Sequence, residues 1–243
     1  AAFCEEKGAD VELSMHPFVD YSTLKISQVR DSGQSDPLVR GIDGVQFFMS
    51  ALKVAVNQRI DKFIEDPDWD PRAEVYETEG YGADILFVPN IIYTPAFAHF
   101  LKMPNEHVQP IEIFENVYYI GTSKTGCLLF KTDDGIIMWD SMNRADDMIN
   151  ILEPDMRTFG LDPADIKVIL LSHGHFDHYG GSRYLQDTYG AEVYMSEDDI
   201  PTMNAPNRDG SPKDPATLPI LDGYLADRDV ITFGDLTFEF AAT

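Results

Sequence analysis

Cysteine is nearly absent. The 243-residue chain has two, Cys4 and Cys127, too few for a disulfide framework and not in a Cys-x-x-Cys spacing. Cys127, inside the apolar run Gly126-Cys127-Leu128-Leu129-Phe130, reads as a small core residue, whereas Cys4 lies near a terminus where a thiol can be free, paired or modified. Positive charge is scarce as well. Eighteen Lys and Arg stand against 42 Asp and Glu, a formal net charge of −24; such a surface repels phosphate backbones and anionic membranes, so nucleic acid is excluded as the expected partner. No apolar run is long enough to span a bilayer. The longest charge-free stretch, Ile85 to Leu101, is interrupted by Pro89, Asn90 and Pro95, and reads as buried chain or as the aromatic wall of a pocket, through Phe87, Tyr93, Phe97 and Phe100. There is no internal repeat or low-complexity tract. The chain opens on Ala1-Ala2-Phe3-Cys4 without a Met, as a mature secreted protein would, and Phe3 spoils the four residues as a lipid-attachment motif. The expectation is an extracytoplasmic protein, periplasmic or secreted.

What remains is ample for folding: 44% of the residues are apolar, enough in a chain of this length to bury a sizeable core. The character of the chain changes near Pro110, which sets the expected boundary between an accessory region, residues 1–109, and a second domain, residues 110–243. In the first region, Phe48, Leu52, Val56, Ile60 and Phe63 recur at helical spacing, predicting an amphipathic helix over about residues 45–64 that packs on the rest as a lid or serves dimerisation, and with it a homo-oligomer. Asp66 to Gly82 reads as a loop. His16, His99 and His107 lack ligand spacing and read as ordinary surface or core histidines.

Beyond Pro110 the pattern is alternating. Ile111 to Ile120 and Gly126 to Lys131 are strand-like, and Thr132-Asp133-Asp134-Gly135 is a hairpin turn into Ile136 to Asp140, giving a small antiparallel meander. A helical stretch follows from about Arg144, to be kinked or restarted by Pro154 and capped by Gly160. Then come a buried strand, Ile166 to Leu171, a helix from Ser182 to Tyr189 closed by Gly190, a strand from Ala191 to Met195, and a strand pair, Val230 to Phe233 and Leu236 to Ala241. Strands interleaved with helices predict a layered α/β fold.

Three of the six histidines fall within six residues: His173-Gly174-His175-Phe176-Asp177-His178. A tight loop leaving a buried strand, with Gly174 allowing the bend, turns His173 and His175 to one side as imidazole donors for one Zn²⁺. Asp177 and His178 then face a second metal, as oxygen and nitrogen ligands suited to a borderline-soft cation. Two such ions lower the pKa of a shared water toward neutrality, and the consequence is hydrolysis. Asp177 has a catalytic part as well, ligating with one oxygen while orienting the water and handling its proton with the other.

At these residues the sequence resembles the metallo-β-lactamase superfamily. The resemblance runs through Phe114-Glu115-Asn116-Val117-Tyr118-Tyr119-Ile120-Gly121, Asp134-Gly135-Ile136-Ile137-Met138-Trp139-Asp140 and Ile169 to Gly181, and looks closest to the branch of the subclass B3 β-lactamases. It implies an αβ/βα sandwich and a zinc-dependent hydrolase acting on a small-molecule amide, lactam, lactone or thioester carbonyl, with β-lactam hydrolysis the leading expectation. A non-enzymatic metal-binding or scaffold member of the fold is the alternative. It also implies that Asp140 buttresses the metal loop from beneath, with a strand-end turn residue as the alternative reading of that position. The family completes its two metal sites with further ligands from later loops, and no histidine follows His178. The expectation is therefore that only the first half of the sandwich and part of the second lie in this chain, with a C-terminal continuation or second chain completing both the fold and the zinc centre.

Overall fold

The computed structural model describes residues 6, 64–65, 104–207 and 210–241. The helix expected over residues 45–64 lies outside them except for Ile64, which is helical and exposed. The loop over 66–82, the aromatic stretch over 85–101, His16, His99 and Cys4 also lie outside the described residues.

The described chain is organised by one seven-stranded sheet whose spatial order is its chain order. Strands β1 (His107–Phe114), β2 (Val117–Thr122), β3 (Gly126–Thr132) and β4 (Gly135–Trp139) form an antiparallel meander. Strands β5 (Ile166–Leu170), β6 (Glu192–Met195) and β7 (Gly223–Tyr224) then add in parallel to β4. The single strand expected over Ile111 to Ile120 is two. Asn116 adopts φ +62°, a left-handed conformation Asn tolerates, and its N–H donates to Glu112 Oε1 at 2.9 Å. Similar apolar alternation on both sides of this tight turn hides it in the sequence.

The switch from antiparallel to parallel requires a crossover, which helices provide. Helix α1 (Ala145–Asp147), a π-helical segment (Met148–Leu152) and α2 (Glu153–Thr158) make one continuous run. The widened turn falls just ahead of Pro154, which has no N–H to donate back and so restarts the α-helix as one of its first residues. Met148, Leu152 and Met156 on this run are completely buried, each side chain contributing about 2 kcal/mol by leaving water. They pack with Ile120, Cys127, Leu129, Met138 and Ile169 on one face of the sheet, so Cys127 is the core residue expected, its thiol pushed up by burial. After β5 come α3 (Phe176–Tyr179) and α4 (Ser182–Tyr189), the latter ended by Gly190 at φ +73°.

The alternate residues of the central strands, Ile137, Val168 and Leu170, point to the other face. There they meet Ile231, Phe233, Phe238 and Phe240 from the hairpin of β8 (Val230–Phe233) and β9 (Leu236–Glu239), a separate two-stranded sheet. Helices on one face and a second sheet on the other make the layered α/β sandwich expected. Among the described residues, no helix is long and apolar enough to cross a membrane.

Candidate metal centre

Polar chemistry in a parallel sheet collects at the carboxyl ends of its strands, and β4 and β5 end side by side. Asp140, one residue past β4, donates its N–H to Leu170 O at 2.9 Å, and its own side chain is completely buried. Its φ of +60° is left-handed, a conformation that costs of order 1 kcal/mol or more and needs surrounding bonds to hold it. Those bonds come from the loop after β5. Asp140 Oδ1 accepts from Ser172 N at 2.8 Å, and Oδ2 accepts from Ser172 Oγ at 2.9 Å and faces His178 Nδ1 at 2.8 Å.

The loop is tied down at further points. The carbonyl of His178 accepts from Ser141 N at 2.6 Å and from Ser141 Oγ at 3.0 Å. Ser141 Oγ also lies 2.7 Å from Ser182 Oγ. Thr125 Oγ1, from the β2–β3 connection, donates to Asp177 O at 3.1 Å. Gly174 lies in the bend expected of it and serves a second purpose as well. A Cβ there would stand 2.5 Å from Asp199 O and 2.7 Å from Met203 N, so glycine is required by the close approach of the backbone of α5 (Ile200–Met203) and of the residue before it.

The four loop residues come together in pairs. His173 Nε2 and His175 Nδ1 are 3.0 Å apart, and His178 Nε2 is 3.8 Å from Asp177 Oδ2. The rings of His173 and His178, one from each pair, lie 3.9 Å apart between centroids. Burial, with His178 and His175 as neighbours, pushes His173 down to about 4, leaving it neutral at pH 7 with a lone pair available. Burial would also depress His178, but Asp140 and Asp177 outweigh it and hold its pKa above the ordinary histidine value.

These distances test whether zinc fits. Two donors at roughly 2.1 Å from a tetrahedral ion are about 3.4 Å apart; one observed pair is a little tighter and the other a little wider than that. Donor chemistry agrees, two imidazoles in one pair and an imidazole with a carboxylate in the other. Among the described residues no three His, Cys, Asp or Glu side chains are grouped to hold an ion, so each pair is a partial site. His107 pairs with Asp155 Oδ2 at 2.8 Å instead of joining the loop.

Sequence reasoning singled out His173, His175, Asp177, His178 and Asp140, and missed the hydroxyls that connect them: Ser172, Ser141, Ser182 and Thr125. Ser172 had one available signal, its position between a buried strand and the first histidine. The other three are brought in by topology alone.

A family model described as the metallo-β-lactamase superfamily matches residues 120–243. Among solved structures, the chain is similar to BJP-1, a subclass B3 metallo-β-lactamase of Bradyrhizobium japonicum, with 27% identity and a TM-score of 0.51 over 59% of this chain and 55% of that one. It is also similar to the metallo-β-lactamase GOB-18 from Elizabethkingia meningoseptica, with 26% identity and a TM-score of 0.50 over 58% and 54% of the two chains. The match thus spans about half the length of each.

Proposed function

This chain belongs to the metallo-β-lactamase superfamily, and from that premise we propose that it is a zinc-dependent hydrolase of a small-molecule amide, lactam, lactone or thioester, with a β-lactam the favoured substrate. The observation that carries the proposal is the paired placement of donors on one buttressed loop. His173 and His175 would hold one ion and Asp177 and His178 a second. Each pair supplies two donors where a catalytic zinc uses three protein ligands and keeps a position open, so we place a further donor for each ion outside the described residues. Zinc bound there supplies a Lewis acid and acidifies water.

The chain's own residues supply the rest. Asp140 and Ser141 fix the loop from below, so the donors are held before an ion arrives. The partly exposed carboxylate of Asp177 orients the attacking water and accepts its proton. As water adds to the carbonyl carbon and the C–N, C–O or C–S bond breaks, the same carboxylate returns that proton to the leaving atom. His178 Nε2, 3.8 Å from Asp177 Oδ2, would share the second ion with that carboxylate. Asp177→Ala should therefore cost about 10²–10⁴-fold in turnover and much less in bound metal.

The test is zinc content of the full-length protein by mass spectrometry, together with hydrolysis of a chromogenic cephalosporin, an aryl lactone and a thioester. Two zinc ions per chain and cleavage of the cephalosporin support the reading. Cleavage of only the lactone or thioester moves the substrate within the family. The pairing of donors in twos favours one competing reading, a metal-binding scaffold, for which one weakly held ion and no turnover would decide.

A further inference from the structure

The protons around Asp140 can be assigned by elimination. An ionised carboxylate only accepts, and a serine hydroxyl has one proton to give and two lone pairs to receive. Asp140 Oδ2 has two neighbours, Ser172 Oγ at 2.9 Å and His178 Nδ1 at 2.8 Å. Both must donate to it, which commits the hydroxyl proton of Ser172 and puts a proton on His178 Nδ1. The lone pairs of Ser172 Oγ then remain for two imidazole neighbours: His178 Nδ1 at 3.2 Å, whose proton is shared between Oγ and Asp140 Oδ2, and His173 Nδ1 at 3.0 Å. The contact with His173 is a hydrogen bond only if His173 carries its proton on Nδ1. His173 Nε2 is consequently bare, and it is the atom 3.0 Å from His175 Nδ1. Two lone pairs cannot face each other at that distance without a proton or a cation between them.

We propose that Ser172 is a positioning residue of the metal centre: its hydroxyl carries the polarity of the buried Asp140 carboxylate to His173, fixing the Nδ1–H tautomer and baring Nε2 toward His175. The inference rests on the zinc reading of the loop, and goes beyond it by assigning a residue and a proton order. One buried carboxylate sets two imidazoles through this arrangement, His178 directly and His173 through the serine, although only His178 touches it. In the metal-free protein the proton between His173 and His175 belongs to His175 Nδ1. An ion entering there replaces that proton, and His175 carries its proton on the other nitrogen.

Ser172 is exposed and its backbone N–H to Asp140 survives substitution, so Ser172→Ala should fold; thermal unfolding within a few degrees of the parent checks this. The experiment is two-bond ¹⁵N–¹H correlation of histidine-labelled, metal-free protein, followed by zinc titration against a chromophoric chelator. In the parent, His173 should show a protonated Nδ1 and a bare Nε2. In Ser172→Ala it should become a tautomer mixture, zinc affinity should fall about 10–100-fold, and Ser172→Thr should restore both. A Ser172→Ala protein that keeps the pure Nδ1–H tautomer and binds zinc within twofold of the parent overturns the proposal while leaving the metal centre standing. A parent that leaves zinc in solution overturns the metal centre itself, and this inference with it.

Discussion

Two buried carboxylates organise this molecule. Asp140 is completely buried and Glu153 is nearly so, and each is surrounded by donors. Glu153 Oε1 accepts from Tyr184 at 2.7 Å and Tyr189 at 2.8 Å, and Oε2 accepts from Arg157 at 2.9 Å. These partners all lie on helices: two phenols on α4 and a guanidinium on its own helix, which pin α2 to α4. The partners of Asp140 lead on to the loop donors, because His178 has a second nitrogen and Ser172 has lone pairs left over. A buried charge whose donors come from helices ties those helices together. One whose donors are the loop's own imidazole and the serine beside the half-buried His173 prepares a site.

Removing Asp140 should have the largest effect. Asp140→Ala leaves the buried His178 and the Ser172 hydroxyl without their acceptor and frees a left-handed residue from its bonds. A loss of about 3–5 kcal/mol in unfolding free energy is expected, together with a fall of about 10–100-fold in zinc affinity, measured by urea unfolding and chelator competition. If stability falls and metal affinity does not, the two carboxylates are alike after all. Glu153→Gln should cost about 1.5–3 kcal/mol, with zinc affinity and turnover per folded molecule unchanged. That separation of stability from binding is the sharpest form of the contrast.

The pH dependence of Glu153 follows next. Burial would raise its pKa, but hydrogen bonds from Tyr184, Tyr189 and Arg157 outweigh that and hold it below the usual carboxylate range. A carboxyl group with a lowered folded pKa stabilises above its unfolded value, about 4.3, and that contribution is lost as pH falls through the folded value. Urea midpoints measured between pH 6 and 3 should drop less steeply in Glu153→Gln than in the parent. The smallest effect is Tyr184→Phe, which removes one of three donors and should cost about 1 kcal/mol without moving bound metal.

The sequence makes the parts with a local cause legible. The meander shows through the turn residues at Thr132 to Gly135, α4 through its closing Gly190, and the loop donors through the histidine spacing. Asp140 is legible only through resemblance, since nothing about an aspartate after a strand says that it is buried. The hydroxyls at Thr125, Ser141 and Ser182 act across separations of 37 to 52 residues, where no periodicity operates. Glu153 escaped notice for the same reason: Arg157, one turn away, suggests a surface ion pair, and only the docking of α4 shows otherwise.

The identity of sheet order and chain order bears on how the molecule is made. A polypeptide emerging from its amino end adds each strand beside the one just laid down, so the sheet grows by short closures in place of long searches. Of the partners that hold the segment from His173 to His178, Thr125, Asp140 and Ser141 precede it in the chain, and Ser182 and the backbone from Asp199 to Met203 follow it. Most of the groups that hold the donors are thus encoded before them, and each new strand has its neighbour already made.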